Sequence, residues 1–376
     1  MAPAASRRLR LGIDASMLEP VRTGVGNYVF NLLQQYQRLD TGTELVLFSD
    51  RRISEDARAF GECIEHIGPP VRKGPLWMTA GLAPLLRRHG IDVFWGGNGY
   101  LPLVAPRSVR RVVTIHDLVY LRAANTTPFV SRWSRRILQP LSVRAADAVI
   151  CVSRCTARDV RAEYGRSADA ILEPQIHPIY RRACAQDVSR LRHRYGLPER
   201  FLLTIGTMEP RKNLAALLRA VLEVRQSGYD LPELVMAGKP GWLSEETERL
   251  ARRAEEAGIA RRLGYVPLPD MPALYSAAEA FIFVPLYEGY GMPAREALLC
   301  GTPVIASDIP AMHEATGGLA CFVAPESVAI ARLLREYASG LLRLPRPAAD
   351  ALHHPAPGAA AEQFAALIER TGRRRC

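Results

Sequence analysis

Two glutamates, Glu288 and Glu296, and two adjacent cations, Arg211 and Lys212, have the types and spacing in this 376-residue chain to do chemistry. The glutamates lie in the stretch Ala280 to Glu314, AFIFVPLYEGYGMPAREALLCGTPVIASDIPAMHE. Its opening apolar run, Ala280 to Val284, predicts a fully buried strand. Glu288-Gly289-Tyr290-Gly291 predicts a loop, and Pro293 the start of a helix, where its missing N–H costs nothing. Gly301 and Pro303 stop that helix, and Val304-Ile305-Ala306 predicts the next buried strand. Such a strand–loop–helix–strand unit exposes backbone N–H groups at a helix N-terminus, which attract phosphate together with the helix dipole. Helical Cβ atoms tilt toward the N-terminus, so Glu296 leans back toward the loop that carries Glu288. A carboxylate beside phosphate is repelled unless it accepts hydrogen bonds from the same ligand, and ribose or hexose hydroxyls are donors of that kind. The plain alternative is two solvated glutamates. Arg211 and Lys212 sit in the loop Gly206 to Asn213, after the predicted strand Phe201 to Ile205. A guanidinium fork and a lysine on adjacent loop positions can grip one diphosphate; the plain alternative is a solvated basic pair.

Glu288 and Glu296 enclose seven residues, with Glu-Gly-Tyr-Gly-Met-Pro at the head and Gly-Thr-Pro-Val-Ile-Ala after them. With Gly206-Thr207-Met208-Glu209-Pro210-Arg211-Lys212-Asn213, this pattern resembles the donor site of retaining glycosyltransferases of the GT-B fold. It is most similar to family 4, the glycosyl transferases group 1, and to its bacterial mannosyl- and rhamnosyltransferases. The resemblance runs from about Gly12 to Val323. It implies a nucleotide-diphosphate sugar as donor, transfer with retention, and a glycan or lipid-linked acceptor. It implies Arg211 and Lys212 on the diphosphate, Glu288 on the donor hexose and Glu296 on the ribose diol. Gly289, Tyr290, Gly291 and Met292 belong to the first of these motifs and Gly206 to the second; the resemblance implies backbone N–H groups of Gly289 to Gly291 for sugar hydroxyls, and those near Gly291 to Ala294 for the diphosphate. In the first half, Gly24 and Gly26 take the place of the family's Gly-x-Gly loop facing the donor phosphate and the acceptor. His116, in Thr114-Ile115-His116-Asp117, matches the histidine that contacts the donor hexose; without the resemblance it reads as a structural histidine at a strand end. Glu173-Pro174-Gln175 replaces the family's Asn-Gly, so any contact made from that segment is not carried over.

Strands alternating with helices, twice over, predict an α/β chain of two doubly wound, Rossmann-like domains, which on GT-B lines face each other across a cleft. Strands are expected at Leu9 to Ala15, Glu44 to Phe48, Asp92 to Trp95, Arg111 to Ile115 and Ala148 to Val152. They are expected again at Phe201 to Ile205 and Leu234 to Ala237. Val25, Tyr28, Val29, Leu32, Leu33 and Tyr36 form a helical stripe. Ser153 reads as an N-cap, and so does Asn213. The junction is expected between Pro174 and Pro198. The domains are then 1–185 on the acceptor side, 186–340 for the donor, and 341–376 as a Pro/Ala-rich linker and a last helix crossing back to the first domain.

At 376 residues the chain exceeds one core. Its 48% apolar and 23% charged residues are those of a globular protein. No apolar run reaches a membrane span, and no signal-type segment follows the first charges, so a cytoplasmic location is expected. Seven cysteines, with only Cys151 and Cys155 close together, predict neither zinc nor disulfides. Without an Asp-x-Asp pair no metal is expected, and no cofactor beyond the donor. The net charge of +11 suits acidic partners: nucleotide diphosphates, or an anionic membrane surface as a peripheral contact at the inner membrane. Arg132-Trp133-Ser134-Arg135-Arg136-Ile137-Leu138 reads either as a membrane-surface helix or as one packed on its own domain. A dehydrogenase is disfavoured because Val29 stands where its third fingerprint glycine belongs. No nucleic-acid motif appears. A catalytically silent GT-B subunit would not need all four of Arg211, Lys212, Glu288 and Glu296.

Overall fold

In a computed structural model, described over residues 7–65, 77–123, 129–239, 241, 244–346, 352 and 358–373, the apolar runs become two parallel sheets. The chain divides into two units. The first comprises Met1–Leu121, Pro128–Gln175 and His354–Cys376, the second Arg122–Thr127 and Ile176–His353.

The first sheet holds β1 (Arg10–Asp14), β2 (Glu44–Ser49), β3 (Glu62–Glu65), β4 (Val93–Gly96), β5 (Arg110–Ile115), β6 (Ala148–Cys151) and β7 (Ala170–Ile171), in the order 3-2-1-4-5-6-7. Every pairing is parallel; Leu11 faces Leu45 across one side of β1 and Val93 across the other. Strand order reverses direction between β1 and β4, which makes that crevice the topological switch point. Both faces are covered, so the strands are nearly continuous runs of buried Val, Ile, Leu and Phe. The helix Gly24–Gln37 buries Tyr28, Val29, Leu32, Leu33 and Tyr36, the stripe its sequence predicts. The last helix, Ala359–Arg373, closes the same core. Phe364 is fully buried, its ring 4.6 Å from that of Trp95 and 5.4 Å from that of Tyr36.

The second sheet holds β8 (Phe201–Ile205), β9 (Glu233–Ala237), β10 (Ala260–Gly264), β11 (Ala280–Phe283), β12 (Val304–Ser307) and β13 (Cys321–Val323), in the order 10-9-8-11-12-13. Here the switch point lies between β8 and β11. The helix Leu214–Gln226 lays Leu217, Leu218 and Val221 over Leu202, Leu234 and Ile282.

Some expectations need correction. Strands β3 and β7 carry no apolar signal of their own, and pairing to β2 and β6 forms them. Asn213 is no N-cap: its backbone is left-handed (φ 59°), and its amide instead donates to the carbonyls of Val284 (3.0 Å) and Pro325 (2.7 Å). Ser153 does cap, its hydroxyl oxygen accepting from the Thr156 N–H at 2.8 Å. The Arg132–Leu138 segment lies in the helix Phe129–Ala145; Ile137 is exposed, and the Trp133 side chain lies outside the described residues. Most of the expected 341–358 linker and the final Arg374 and Arg375 also lie outside them. No described helix is long and apolar enough to cross a membrane.

Candidate active site

Loops from the carboxyl ends of β8 and β11 meet at the second unit's switch point, where open parallel sheets take ligands. After β8 the chain runs through Gly206 into a single turn, Pro210–Lys212, that carries both cations. The turn is anchored at three points. The Leu286 N–H donates to the Arg211 carbonyl (2.9 Å), the Met208 N–H to that of Lys239 (3.1 Å), and Asn213 ties β11 to the 325 loop. A side chain on Gly238 would put its Cβ 1.9 Å from the Gly206 carbonyl oxygen, so this loop packing requires glycine there.

Arg211 and Lys212 do not stand as isolated donors. Arg211 Nη1 donates to Glu288 Oε1 at 2.7 Å, and Lys212 Nζ reaches the same oxygen. Arg211 Nη2 is 2.6 Å from Glu209 Oε1. Two cations and two carboxylates therefore form one network. Burial alone would raise the Glu288 carboxyl, but the charges of Arg211 and Lys212 reverse this and hold it below the usual carboxylate range. Burial, then the neighbouring Arg211, pushes the Lys212 ammonium below its ordinary value; Glu288 works against both. Lys212 Nζ also lies over the Phe283 ring, 4.7 Å from its centroid.

Gly289, Tyr290 and Gly291 complete the loop after β11, and the helix Met292–Leu299 follows with Gly291 at its N-cap (φ 108°). Pro293 has no N–H, and the Ala294 N–H already donates to the Gly291 carbonyl (3.1 Å). The phosphate donors expected from Gly291 to Ala294 thus reduce to the N–H groups of Gly291 and Met292.

Glu296 lies on this helix apart from the cation network. Tyr275 donates to its Oε2 at 2.9 Å, and the Tyr180 hydroxyl also bonds it. Burial nonetheless raises the carboxyl to about 7, against the lowering effect of both hydroxyls and of Lys212. The two tyrosines and Glu209 are site residues that sequence spacing did not single out. Tyr275 lies 21 positions from its partner and Tyr180 in the expected junction, and neither stands in a motif.

In the first unit, Gly24 and Gly26 open the helix Gly24–Gln37. A Cβ on Gly26 would lie 2.4 Å from the Met17 carbonyl oxygen, so this glycine lets the loop after β1 close on the helix. His116 follows β5. Its Nε2 is 2.7 Å from the Gly97 carbonyl, an acceptor, so Nε2 bears the proton and Nδ1 is the acceptor. Burial lowers its pKa, which makes the ring neutral at pH 7. Tyr28 stands edge-on at 5.0 Å, and Thr156 donates to the His116 carbonyl at 3.2 Å. Asp117 pairs with Arg135 at 3.4 Å. Among the described residues no three His, Cys, Asp or Glu side chains cluster as metal ligands would.

Two family models match the chain: Glycosyltransferase Family 4 over residues 22–172, and Glycosyl transferases group 1 over residues 199–339. The chain is 28% identical to the O-antigen chain mannosyltransferase B of Escherichia coli, over 82% of this chain and 86% of that protein. Among solved structures it is similar to WaaG, a glycosyltransferase involved in lipopolysaccharide biosynthesis (TM-score 0.68, 16% identity, 97% of this chain and 98% of that one). It is also similar to Anabaena Alr3699/HepE in complex with UDP-glucose (TM-score 0.65, 16% identity, 98% of each chain). With two parallel-sheet units, both motif loops at a switch point and family matches over both halves, the chain belongs to the family 4 glycosyltransferases of the GT-B fold.

Proposed function

We propose that this glycosyltransferase moves a hexose, with retention and without a metal, from a nucleoside diphosphate sugar to a glycan or lipid-linked acceptor in bacterial surface polysaccharide assembly. The observation that carries this is the network of Arg211, Lys212 and Glu288 at the carboxyl ends of β8 and β11. As the anomeric C–O bond breaks, negative charge grows on the diphosphate. Fixed cations and the Gly291 and Met292 N–H groups aimed at that charge lower the barrier. Glu288 holds both cations in place and faces the donor hexose, and Glu296 takes the ribose diol. The acceptor hydroxyl attacks from the leaving-group face, so no carboxylate nucleophile is called for.

The likeness to an O-antigen mannosyltransferase supports GDP-mannose, or a related GDP-deoxyhexose, as donor. The likeness to a structure holding UDP-glucose favours a UDP-sugar as the second reading. Nucleotide sugars are cytoplasmic, so the enzyme would act there, meeting its acceptor at the inner membrane.

A thermal-shift panel with GDP, UDP, ADP and dTDP separates the donors, since a ligand at 100 times its Kd adds about 2.7 kcal/mol of stability. GDP should give the largest shift, and GDP-mannose should be slowly hydrolysed. A shift with UDP alone moves the assignment to the second reading, and no shift with any of the four overturns it. Arg211→Ala and Lys212→Ala should each lower kcat by about 10²–10³; turnover within about threefold of the parent would remove them from the leaving-group role. Activity should persist in EDTA, and loss that Mg²⁺ or Mn²⁺ restores would reveal a metal step.

A further inference from the structure

A groove of about 810 Å³ runs along the second unit, between the helix Ala185–Tyr195 and the start of the helix Met271–Ala277. None of Arg211, Lys212, Glu288 and Glu296 lines it, so the donor chemistry does not use it. Its floor is apolar: Leu191 is 3% exposed, with Pro272 and Ala273 buried beside it. Its walls are fixed. Arg192 Nη2 donates to the Ala277 carbonyl (3.3 Å), which ties the two helices together. The Ala183 N–H donates to the Ser276 hydroxyl oxygen (2.9 Å), which pins the segment before the first helix. The groove therefore keeps its shape without a ligand, which lowers the cost of binding one.

The charges along it do not balance. Arg181, Arg182, Arg190 and Arg194 line it, against Asp187 and Asp270. Both aspartates are engaged. Asp187 pairs with Arg190 (3.4 Å) and accepts from the Cys184 thiol (3.1 Å). Asp270 pairs with Arg194 (2.9 Å) and accepts from the Tyr195 hydroxyl (2.7 Å). Arg181 and Arg182, both exposed, have no hydrogen-bond or ion-pair partner among the described residues. The Arg182 stem lies along the backbone of Gly301, its Cδ 3.5 Å from where a Cβ there would stand, which keeps the guanidinium at the groove.

A neutral ligand would leave this surplus unanswered, and a cation would add to it. A carboxylate fills one guanidinium fork, whereas a phosphate has oxygens enough for two. The apolar floor suits a carbon skeleton attached to that phosphate.

We propose that this groove is a second anion site, which binds the phosphate of an organic phosphate between Arg181 and Arg182 and lays its carbon skeleton along Leu191 and Ala273. The recognising chemistry is the same for a phospholipid headgroup and for a free phosphate ester, and the two are separated by experiment. The site stands apart from the donor chemistry and does not depend on it.

The test uses the full chain. Glycerol 3-phosphate is titrated by calorimetry, with glycerol as the neutral control. The chain is also sedimented with phosphatidylcholine vesicles, with and without phosphatidylglycerol. Glycerol 3-phosphate should bind saturably, more weakly as salt is raised, and glycerol should not bind. Arg181→Gln with Arg182→Gln should weaken binding about tenfold at an unchanged Tm, since both side chains are exposed. If that double variant does not fold, Arg181→Gln alone should weaken it about threefold. Arg211→Ala, which removes a donor-site cation, should retain it. Phosphatidylglycerol-dependent sedimentation that the double variant loses assigns the phosphate to a lipid headgroup. Saturable glycerol 3-phosphate binding without sedimentation assigns it to a soluble ester. No binding of either probe, binding that survives the double variant, or glycerol 3-phosphate binding lost in Arg211→Ala instead, overturns the proposal. A chain that turns over nucleotide sugar yet gives one of those results loses only this inference.

Discussion

Glu296 changes charge within the neutral range, because burial lifts its carboxyl to about 7. The carboxylate is the better acceptor for two diol hydroxyls, so nucleoside diphosphate affinity should fall as pH drops from 8 to 6. Glu296→Gln should weaken binding about ten- to a hundredfold at pH 8, the worth of a hydrogen bond to a charged group, and should lose that pH dependence. Calorimetry at both pH values checks it; a pH profile shared by variant and parent would take Glu296 out of the ribose site. Stability runs the other way. A group whose pKa is raised on folding contributes stability fully present below its unfolded value, near 4.5, and lost as pH rises through 7. Glu296→Gln cannot ionise, so its Tm should exceed that of the parent at pH 8 and match it near pH 4. Glu288 behaves differently, because both cations depend on it. Glu288→Ala leaves Arg211 and Lys212 without their shared counterion, at about 3–5 kcal/mol for breaking such a buried pair. Glu288→Gln keeps the shape and removes one negative charge. It should lower turnover while binding nucleoside diphosphate at least as tightly, and a marked loss of affinity by calorimetry would contradict the network.

The loops after β8 and β9 pack against each other at a glycine that no side chain can replace. Gly238→Ala meets the Gly206 carbonyl oxygen, a backbone atom with nowhere to go. Gly317 is also left-handed (φ 60°), but only Leu352, at 3.8 Å, stands near its missing Cβ. Gly317→Ala should therefore cost only the left-handed penalty of about 1–2 kcal/mol, and Gly238→Ala clearly more; equal Tm losses would mean that the loops are not packed as described. At this scale the sequence is informative where a pattern is local. Buried runs such as Phe201 to Ile205, the proline-started helix after Gly291 and the Ser153 cap can be read from neighbouring residues. Asn213 could not be, because its partners Val284 and Pro325 come from distant segments. Strands β3 and β7 could not, because sheet pairing forms them. The cations and glutamates were legible as motif letters. That Glu288 binds both cations, and that two tyrosines bond Glu296, depends on tertiary contacts that spacing does not encode.

The first unit is assembled from separated parts of the chain. Its last helix, Ala359–Arg373, inserts Phe364 between Tyr36 and Trp95, all within the same core. Phe364→Ala should cost about 3–5 kcal/mol, the usual value for emptying a buried aromatic site. The loss should appear in the first unit alone, and hydrogen exchange resolved by peptide would show it as faster opening around β1 and β4 with the β8–β11 peptides unchanged. Uniform loosening of both units would mean that this helix is not specific to the first core. The same placement sets an order of events during synthesis. The first unit's early strands leave the ribosome before the second unit, yet the wall that seals them arrives only after residue 353. At about 5–20 residues per second, Trp95 and its neighbours wait through the making of nearly all the second unit. A nascent chain therefore completes its later half first, carrying an unsealed apolar surface for a chaperone to hold.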